Sequence, residues 1–175
     1  MTTSRLLAAL STHADETMSW VTYAVRDTVA GVDYVTITVV GADAALSTIG
    51  STDPVALRAD AVQYSLRQGP VISAVQGEQL AVSTDVRTDA RWPDYAAQAD
   101  GLGIRAQAAL VLRWAGQSVG ALNLYSTQPE PFTVEALALA RQYAGHASAA
   151  WEIIRRTQGA RVPTQRQAAE QPLAS

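Results

Sequence analysis

Two segments separated by a tight turn predict a β-hairpin at the centre of a sheet. The first arm spans residues 104–113, the turn residues 114–116 and the second arm residues 117–126. Side chains leave a strand with period two, so the strict apolar alternation of the first arm predicts a half-buried strand. The second arm is almost wholly apolar, which predicts burial on both faces. Its one polar interior residue is Asn123, the only asparagine in the chain.

Apolar residues at three- and four-residue spacing predict a long helix near each end of the chain. The first helix is predicted over residues 4–29, and the last begins at the N-cap Thr133 and runs to about Arg156. The first helix has a single stripe, which consists of Leu7, Leu10, Ala14, Thr17, Val21, Ala24 and Thr28.

The last helix carries two such stripes, whereas a helix that only covers a sheet needs one. The first stripe consists of Leu137, Ala140, Ala144, Ala147, Trp151 and Ile154. The second consists of Leu139, Tyr143, His146, Ala150 and Ile153. We expect one stripe to pack on the sheet or the first helix and the other on a partner chain, giving a homodimer through the N- and C-terminal helices. The alternative is one wide apolar face inside a monomer.

Shorter elements are predicted between the two long helices. Asp53 and Pro54 are typical of a helix start, as N-cap and first helical residue. The apolar face of that helix consists of Val55, Ala59, Val62 and Leu66. The remaining predicted elements are strands over residues 34–40, 46–50 and 80–83 and short helices over residues 70–75 and 93–100.

Composition excludes several classes of chemistry. The chain has 175 residues, a net charge of −3, 13 arginines and neither lysine nor cysteine. Disulfides, thiolate catalysis, zinc–thiolate sites, Schiff bases and P-loop lysines are therefore excluded. There is no signal-peptide pattern and no apolar run of membrane-spanning length, so we expect a soluble, cytoplasmic protein without a membrane partner. The acidic balance disfavours a nucleic-acid partner.

Two candidate chemistries are set aside. Gly116, Ser118 and Gly120 match the G-x-S-x-G pattern of serine hydrolases, but that motif requires a strand-to-helix turn and here it lies at a hairpin. His13 and His146 have no spacing that would suit a catalytic zinc. Haem held by His146 alone stays open, although a histidine satisfied by its own surroundings is favoured. We predict no catalytic residue, no metal and no cofactor.

Acids and arginines alternate from Asp85 to Arg91, with Trp92 and Tyr95 beside them. Such a segment could form a polar wall or lid over a small-molecule pocket, in which arginine offers a planar fork of donors. It could also be a self-satisfied loop whose aspartates and arginines hold their own backbone. The second interpretation is favoured, and both stay open.

Several of these residues, taken in order, resemble GAF domains of the actinobacterial type that is usually joined to an ANTAR RNA-binding domain. The resemblance covers about residues 5–156 and rests on Gln63-Tyr64, Gly69-Pro70, Asp85 through Arg91-Trp92-Pro93, and residues 120–126. It implies an α+β fold with an antiparallel sheet of about six strands. The first and last helices would lie on one face, and short helices and loops would cover a cavity on the other.

The chain also departs from that family in ways that bear on function. Val71 stands where the sub-family commonly has cysteine, and the lack of any cysteine excludes methionine-sulfoxide reduction and covalent bilin attachment. No ANTAR helices follow Arg156, so direct RNA binding is not expected. We predict a sensory domain over residues 1–156 and a disordered tail over residues 157–175.

The resemblance therefore implies a non-catalytic sensory domain that binds a small molecule and acts in signal transduction or transcriptional control through a protein partner. The candidate ligand-binding residues are Gln63, Tyr64, Asp85, Arg87, Trp92, Asn123 and Tyr125. The alternative is a ligand-free interaction domain with a filled core. An enzyme is disfavoured.

Overall fold

Five helices and five strands follow one another in the part of the chain that the structure describes. This computed structural model describes the backbone of residues 3–160 and the side chains of residues 12–157; the predicted tail lies outside the described residues from position 161 onward. The elements are α1 (Thr3–Thr28), β1 (Tyr34–Val40), β2 (Leu46–Ile49), α2 (Pro54–Leu66), α3 (Pro70–Val75), β3 (Leu80–Ser83), a 3-10 turn (Val86–Thr88), α4 (Pro93–Gly101), β4 (Ala106–Trp114), β5 (Gln117–Ser126) and α5 (Val134–Ala160).

The strands form one antiparallel sheet in the order β2-β1-β5-β4-β3. The predicted hairpin is confirmed as β4 and β5, and β5 is the central strand. Asn123 lies opposite Thr36 of β1 and Ala109 of β4. The fold is therefore α+β, with five strands among residues 3–160 where the resemblance implied about six.

Both faces of β4 and β5 are covered. Residues 120–126 of β5 are all buried, as predicted. The expectation of a half-buried β4 is wrong, because Gln107 and Ala109 on its second face are also fully buried. The cause is tertiary: α3 packs over β4 and β5, and the Tyr95 side chain of α4 bonds to Gln107.

The two long helices pack on one face of the sheet. The buried residues of α1 are Ala14, as predicted, and then Met18, Thr22 and Val25, each one position after the predicted Thr17, Val21 and Ala24. Leu7 and Leu10 of the predicted stripe lie outside the residues whose side chains the structure describes. Thr28 of the predicted stripe is exposed, and its hydroxyl lies 2.9 Å from the hydroxyl of Tyr143. The first stripe of α5 joins the core on the sheet, and Leu139 and Tyr143 of the second stripe are partly buried against the same core. The second stripe of α5 is therefore partly used within this chain.

The short helices α2, α3 and α4 pack on the opposite face. Asp53 caps α2 as predicted, since its Oδ1 accepts a hydrogen bond from the backbone N–H of Val55 at 2.7 Å. The buried face of α2 consists of Ala56, Ala59, Asp60 and Gln63. The predicted face is confirmed at Ala59, and Val55 and Val62 are partly buried against the same apolar cluster, whereas Leu66 is exposed. Asp60 and Gln63 were not predicted to be buried, and they are, because the interior on this side of the sheet accepts a carboxylate and an amide.

Candidate functional site

A buried carboxylate lies at the centre of this polar interior. Helical spacing turns Asp60, Gln63 and Tyr64 of α2 toward the sheet, and Asp60 is fully buried. Asp60 Oδ1 accepts a hydrogen bond from the Tyr125 hydroxyl, and Oδ2 accepts one from Thr48 Oγ1 at 2.8 Å. Among the described residues, no guanidinium or imidazole forms an ion pair or hydrogen bond with this carboxylate.

The Gln63 amide joins α2 to the strands and to α3. Its Nε2 donates to the Tyr125 hydroxyl at 3.1 Å. Its Oε1 accepts from the backbone N–H of Val71 at 3.0 Å and from Gln107 Nε2 at 3.3 Å. Gln107 Oε1 in turn accepts a hydrogen bond from the Tyr95 hydroxyl of α4. One amide thus couples three elements of secondary structure around Tyr125.

The same bonds continue to the centre of the sheet. The Tyr64 hydroxyl lies 2.8 Å from Thr48 Oγ1 and 2.7 Å from Thr38 Oγ1. Asn123 Nδ2 donates to Thr36 Oγ1 at 3.0 Å and to Thr38 Oγ1 at 2.9 Å. Asn123 Oδ1 is buried and has no hydrogen-bond partner among the described residues.

We call this set of side chains the polar network. It consists of Thr36, Thr38, Thr48, Asp60, Gln63, Tyr64, Tyr95, Gln107, Asn123 and Tyr125. Four of the seven predicted ligand-binding residues belong to it, namely Gln63, Tyr64, Asn123 and Tyr125.

Burial dominates the electrostatics of the network. It raises the pKa of Asp60 to about 6 from the ordinary 3.8, and the hydrogen bonds from Tyr125, Thr36 and Thr48 lower it by a smaller amount. Burial, followed by the charge of Asp60, also raises the pKa values of Tyr95 and Tyr125. The phenol groups therefore remain protonated donors around one carboxylate.

The charged loop before α4 stands apart from the network. Asp85 accepts two hydrogen bonds from the Arg87 guanidinium, at 2.9 and 2.7 Å, and a third from the backbone N–H of Arg87 at 3.1 Å. This contact holds the pKa of Asp85 below its usual range. The predicted residues Asp85 and Arg87 therefore satisfy each other across the 3-10 turn.

Trp92 occupies a position between the loop and the network. It is 9% exposed and belongs to the same apolar cluster as Tyr95 and Tyr125. The Arg91 guanidinium lies 4.2 Å from the centroid of its ring and is paired with Asp89 at 2.7 Å. The structure thus places Trp92 beside the network as a packing contact.

Sequence reasoning missed three members of the network that matter for its chemistry: Asp60, Tyr95 and Gln107. The available signal was the spacing of Ala56, Ala59, Asp60 and Gln63, which forms a helical stripe as regular as the apolar one. It was missed because a stripe that contains a carboxylate is normally assigned to the solvent side.

Three surface cavities lie away from these side chains. One of about 560 Å³ lies between α2 and α4, and one of about 500 Å³ lies beside Arg87. A third, of about 350 Å³, lies between β4 and α5. Eight of the ten network residues are buried, and Thr48 and Tyr64 are partly exposed.

Metal-dependent or nucleophilic chemistry has no matching geometry in the described part of the chain. No three His, Cys, Asp or Glu side chains there are grouped to hold a metal. Ser118 lies in the β4–β5 hairpin, and its buried hydroxyl has no hydrogen-bond partner among residues 3–160. No base therefore contacts this serine. Within the same residues, each helix is too short or too polar to cross a bilayer.

Replacing Tyr125 with phenylalanine should lower the free energy of unfolding by about 1–3 kcal/mol, because Asp60 Oδ1 and Gln63 Nε2 lose a buried partner. Urea unfolding at pH 7 measures the effect. Tyr23→Phe is the matched control, since Tyr23 is 40% exposed on α1. Equal stability of the two variants would show that the Tyr125 hydroxyl does not support the network.

The raised pKa of Asp60 predicts a specific pH dependence of stability. The folded state holds the Asp60 proton up to about pH 6, whereas the unfolded chain loses it near 3.8. The contribution of Asp60 is fully present below about pH 4 and is lost as the pH rises to about 6, by on the order of 2–3 kcal/mol. Asp60→Asn should remove this loss, so the stability difference between variant and wild type should grow across that window. If the stabilities of the wild type and of Asp60→Asn changed in parallel with pH, this prediction would be contradicted.

Comparison with known proteins assigns the family. The family model described as a GAF domain matches residues 11–152. A search of the curated proteins found no match to this chain. GAF domains are commonly sensory or regulatory parts of signal transduction proteins.

Solved structures share the fold at low sequence identity. A domain of a Sinorhizobium meliloti protein described as a two-component sensor histidine kinase has a TM-score of 0.69 and 13% identity, covering 85% of this chain and 96% of that one. The GAF domain region of a Geobacter sulfurreducens protein has a TM-score of 0.68 and 16% identity, covering 84% and 98%. A type II free methionine-R-sulfoxide reductase from Thermoplasma acidophilum has a TM-score of 0.60 and 15% identity, covering 81% and 94%. With the family match over most of its length, this chain belongs to the GAF domain family.

Proposed function

We propose that this chain is a non-catalytic regulatory domain that binds a small molecule at the polar network and passes the signal to a protein partner. The observation that carries the proposal is the fully buried carboxylate of Asp60, whose partners are hydroxyl groups. Aspartate is almost never fully buried without a cationic partner. A titratable group held in this way is a candidate for function.

The chemistry of the network indicates the class of ligand. A buried carboxylate costs several kcal/mol unless a cation or several donors compensate for lost hydration. Asn123 Oδ1 also needs a donor and has none among the described residues. A small molecule with several N–H donors, such as an ammonium, amidinium or guanidinium compound, would satisfy both acceptors.

Binding at the network requires an opening, because Asp60 and Gln63 are fully buried. The cavity of about 560 Å³ between α2 and α4 is lined by Val62, the direct neighbour of Gln63, and by Leu102. If α4 separated from α2 at this cavity, Tyr95 and Gln63 would be exposed. A ligand shifts such an equilibrium only by its preference for the open arrangement.

A second candidate function is that of a protein-interaction domain with a filled core. It is favoured by the hydrogen bonding at the centre of the network, where both carboxylate oxygens of Asp60 and both ends of the Gln63 amide have partners. In that case the network supplies a single well-defined interior, and regulation occurs only through the surface.

Thermal unfolding of the full chain with a panel of small amines, amidines and guanidines distinguishes the ligand-binding function from the interaction function. Binding at the network should raise the Tm of the wild type and leave that of Asp60→Asn unchanged, because the variant lacks the carboxylate. A binder that stabilises both proteins equally does not use Asp60. If no compound raises the Tm of the wild type, the second function is favoured.

We further propose that the domain forms a homodimer through α1 and α5. Trp20 on α1 is 82% exposed and Ile153 on α5 is 66% exposed, so a dimer through these helices would bury two large apolar side chains. Sedimentation equilibrium at tens of micromolar should show a dimer, and Trp20→Glu with Ile153→Glu should give a monomer. Leu57→Glu on α2, where Leu57 is 47% exposed, is the control and should remain dimeric. A monomeric wild type would refute the dimer.

A further inference from the structure

We propose that the cavity between β4 and α5 is a second ligand site, which binds a planar aromatic acid. This cavity, of about 350 Å³, lies on the face of the sheet that α1 and α5 cover, and the polar network lies on the other face. Its volume falls at the lower end of the range for small-molecule sites. The proposed ligand site at Asp60 does not depend on this cavity.

A β-bulge shapes the strand side of the cavity. The register of β4 and β5 shifts between Leu112 and Arg113. The backbone N–H of Arg113 instead donates to Ser148 Oγ of α5 at 3.2 Å, and Ser148 is itself anchored to the carbonyl oxygen of Ala144 at 2.8 Å. Bulges commonly redirect side chains next to functional sites. Here the bulge fixes the end of β4 against α5 with Arg113 and Trp114 on the cavity wall.

Two arginines give the cavity a positive charge. The Arg113 guanidinium is held by the carbonyl oxygens of Gly77 at 2.7 Å and Gly116 at 3.4 Å, which bear no net charge. Arg141 is exposed and has no hydrogen bond or ion pair within the described residues. The lining contains no aspartate or glutamate, although the whole chain has a net charge of −3. The unpaired Arg141 guanidinium, in a cavity that Arg113 also lines, is suited to a carboxylate.

The Trp114 indole and the open space beside Gly145 complete the site. Trp114 is half-buried, and the Arg156 guanidinium, itself paired with Glu152 at 2.7 Å, lies 5.4 Å from the centroid of its ring. Gly145 leaves space on the α5 side, because a Cβ built there meets no atom within 4 Å. The combination of an indole, small residues and free guanidinium donors suits a flat ring that carries one carboxylate.

The cavity lies next to the proposed dimer surface on α5. Arg141, Gly145 and Ala149 follow one another at i, i+4 and i+8 on one side of the sheet-facing stripe. Ile153 is the next residue of the same row, at i+12, so a dimer formed through Ile153 would border the Ala149 end of this cavity.

Titration of the full chain with indole-3-carboxylate tests the proposal, with indole-3-carboxamide as the neutral probe of the same shape. We expect the carboxylate to bind at least about tenfold more tightly, since the amide lacks the charge that the arginines recognise. In ¹⁵N NMR spectra, the indole N–H signal of Trp114, assigned by its loss in Trp114→Phe, should move. A shift confined to Trp92 would place the probe at the other face and overturn the proposal.

Variants decide which groups bind the probe. Arg141→Gln should weaken binding at least about tenfold, and Gly145→Leu should abolish it by filling the open space there. Arg58→Gln, which removes an exposed arginine without an ion pair on α2, should bind as the wild type does. If Gly145→Leu is unfolded by circular dichroism, Ala149→Met serves in its place. The proposal is overturned if the wild type does not bind at millimolar concentrations, if both probes bind equally, or if Arg141→Gln binds normally.

Discussion

Gly120→Ala should lower the free energy of unfolding by about 3–5 kcal/mol, a large fraction of the stability of an ordinary domain. Gly120 lies in β5 where β1 passes directly beside it, opposite Val39. A Cβ at this position would lie 2.1 Å from the carbonyl oxygen of Thr38 and 3.3 Å from the Cα of Val39. Both are backbone atoms of a buried strand, so the sheet would have to separate to admit a methyl group. Urea unfolding followed by circular dichroism measures the loss.

The matched control for this substitution is Gly101→Ala at the end of α4. A Cβ there meets no atom within 4 Å, so the change should be neutral or stabilising by up to about 1 kcal/mol. If Gly120→Ala proves as stable as Gly101→Ala, the β1–β5 spacing described above is incorrect.

Gly69→Ala should lower the free energy of unfolding by about 3 kcal/mol, through backbone strain and loss of hydrogen bonds in the polar network. Gly69 precedes α3 with φ of +123°, and a Cβ there would lie 2.2 Å from Gln63 Oε1. The Gln63 side chain cannot move aside without losing its bonds to Val71, Gln107 and Tyr125. Urea unfolding measures the loss, again with Gly101→Ala as the control.

A double-mutant cycle shows whether the loss at Gly69 acts through Gln63. Gln63→Ala removes the atoms that the new methyl group would meet. The double variant Gly69→Ala, Gln63→Ala should therefore be less destabilised than the sum of the two single variants. Strict additivity would mean that the glycine is needed only for its backbone conformation.

Much of the fold could be predicted because local signals agree with the tertiary structure. The β-branched run of β1, the Asp53–Pro54 helix start and the β4–β5 hairpin each have a cause that acts over a few residues. The Thr133 cap of α5 is of the same kind, since Thr133 Oγ1 accepts from the backbone N–H of Ala136 at 3.1 Å. Local signals that act over a few residues can be recognised in a single sequence.

The faces of the elements were harder to predict than their existence. The omission of Asp60 and Gln63 from the buried face of α2 and the prediction of a half-buried β4 have one cause, because both rested on the rule that polar residues face water. Asp60, Gln63 and Gln107 are buried because residues distant in sequence supply their partners: Tyr125 is 65 positions from Asp60. Neither periodicity nor composition contains that information. Gln63, Tyr64 and Tyr125 were predicted with the help of the family resemblance, and Asn123 also as the one polar residue inside an apolar strand.

The charged loop shows the opposite case, in which a local signal was sufficient. Asp85 pairs with Arg87, and Asp89 pairs with Arg91, each across two positions. Short spacing of this kind lets both partners meet without help from the rest of the fold. This geometry corresponds to the self-satisfied loop that the sequence favoured.

Native mass spectrometry of the full chain, purified from its own source without denaturant, tests binding at the polar network most directly. We expect wild-type protein to carry an additional small mass that is released by acid or by unfolding and refolding. Asp60→Asn should lack this mass, and Arg141→Gln, altered on the other face of the sheet, should retain it. Only the bare chain mass in every wild-type preparation, or the same additional mass on Asp60→Asn, would contradict a ligand site at Asp60.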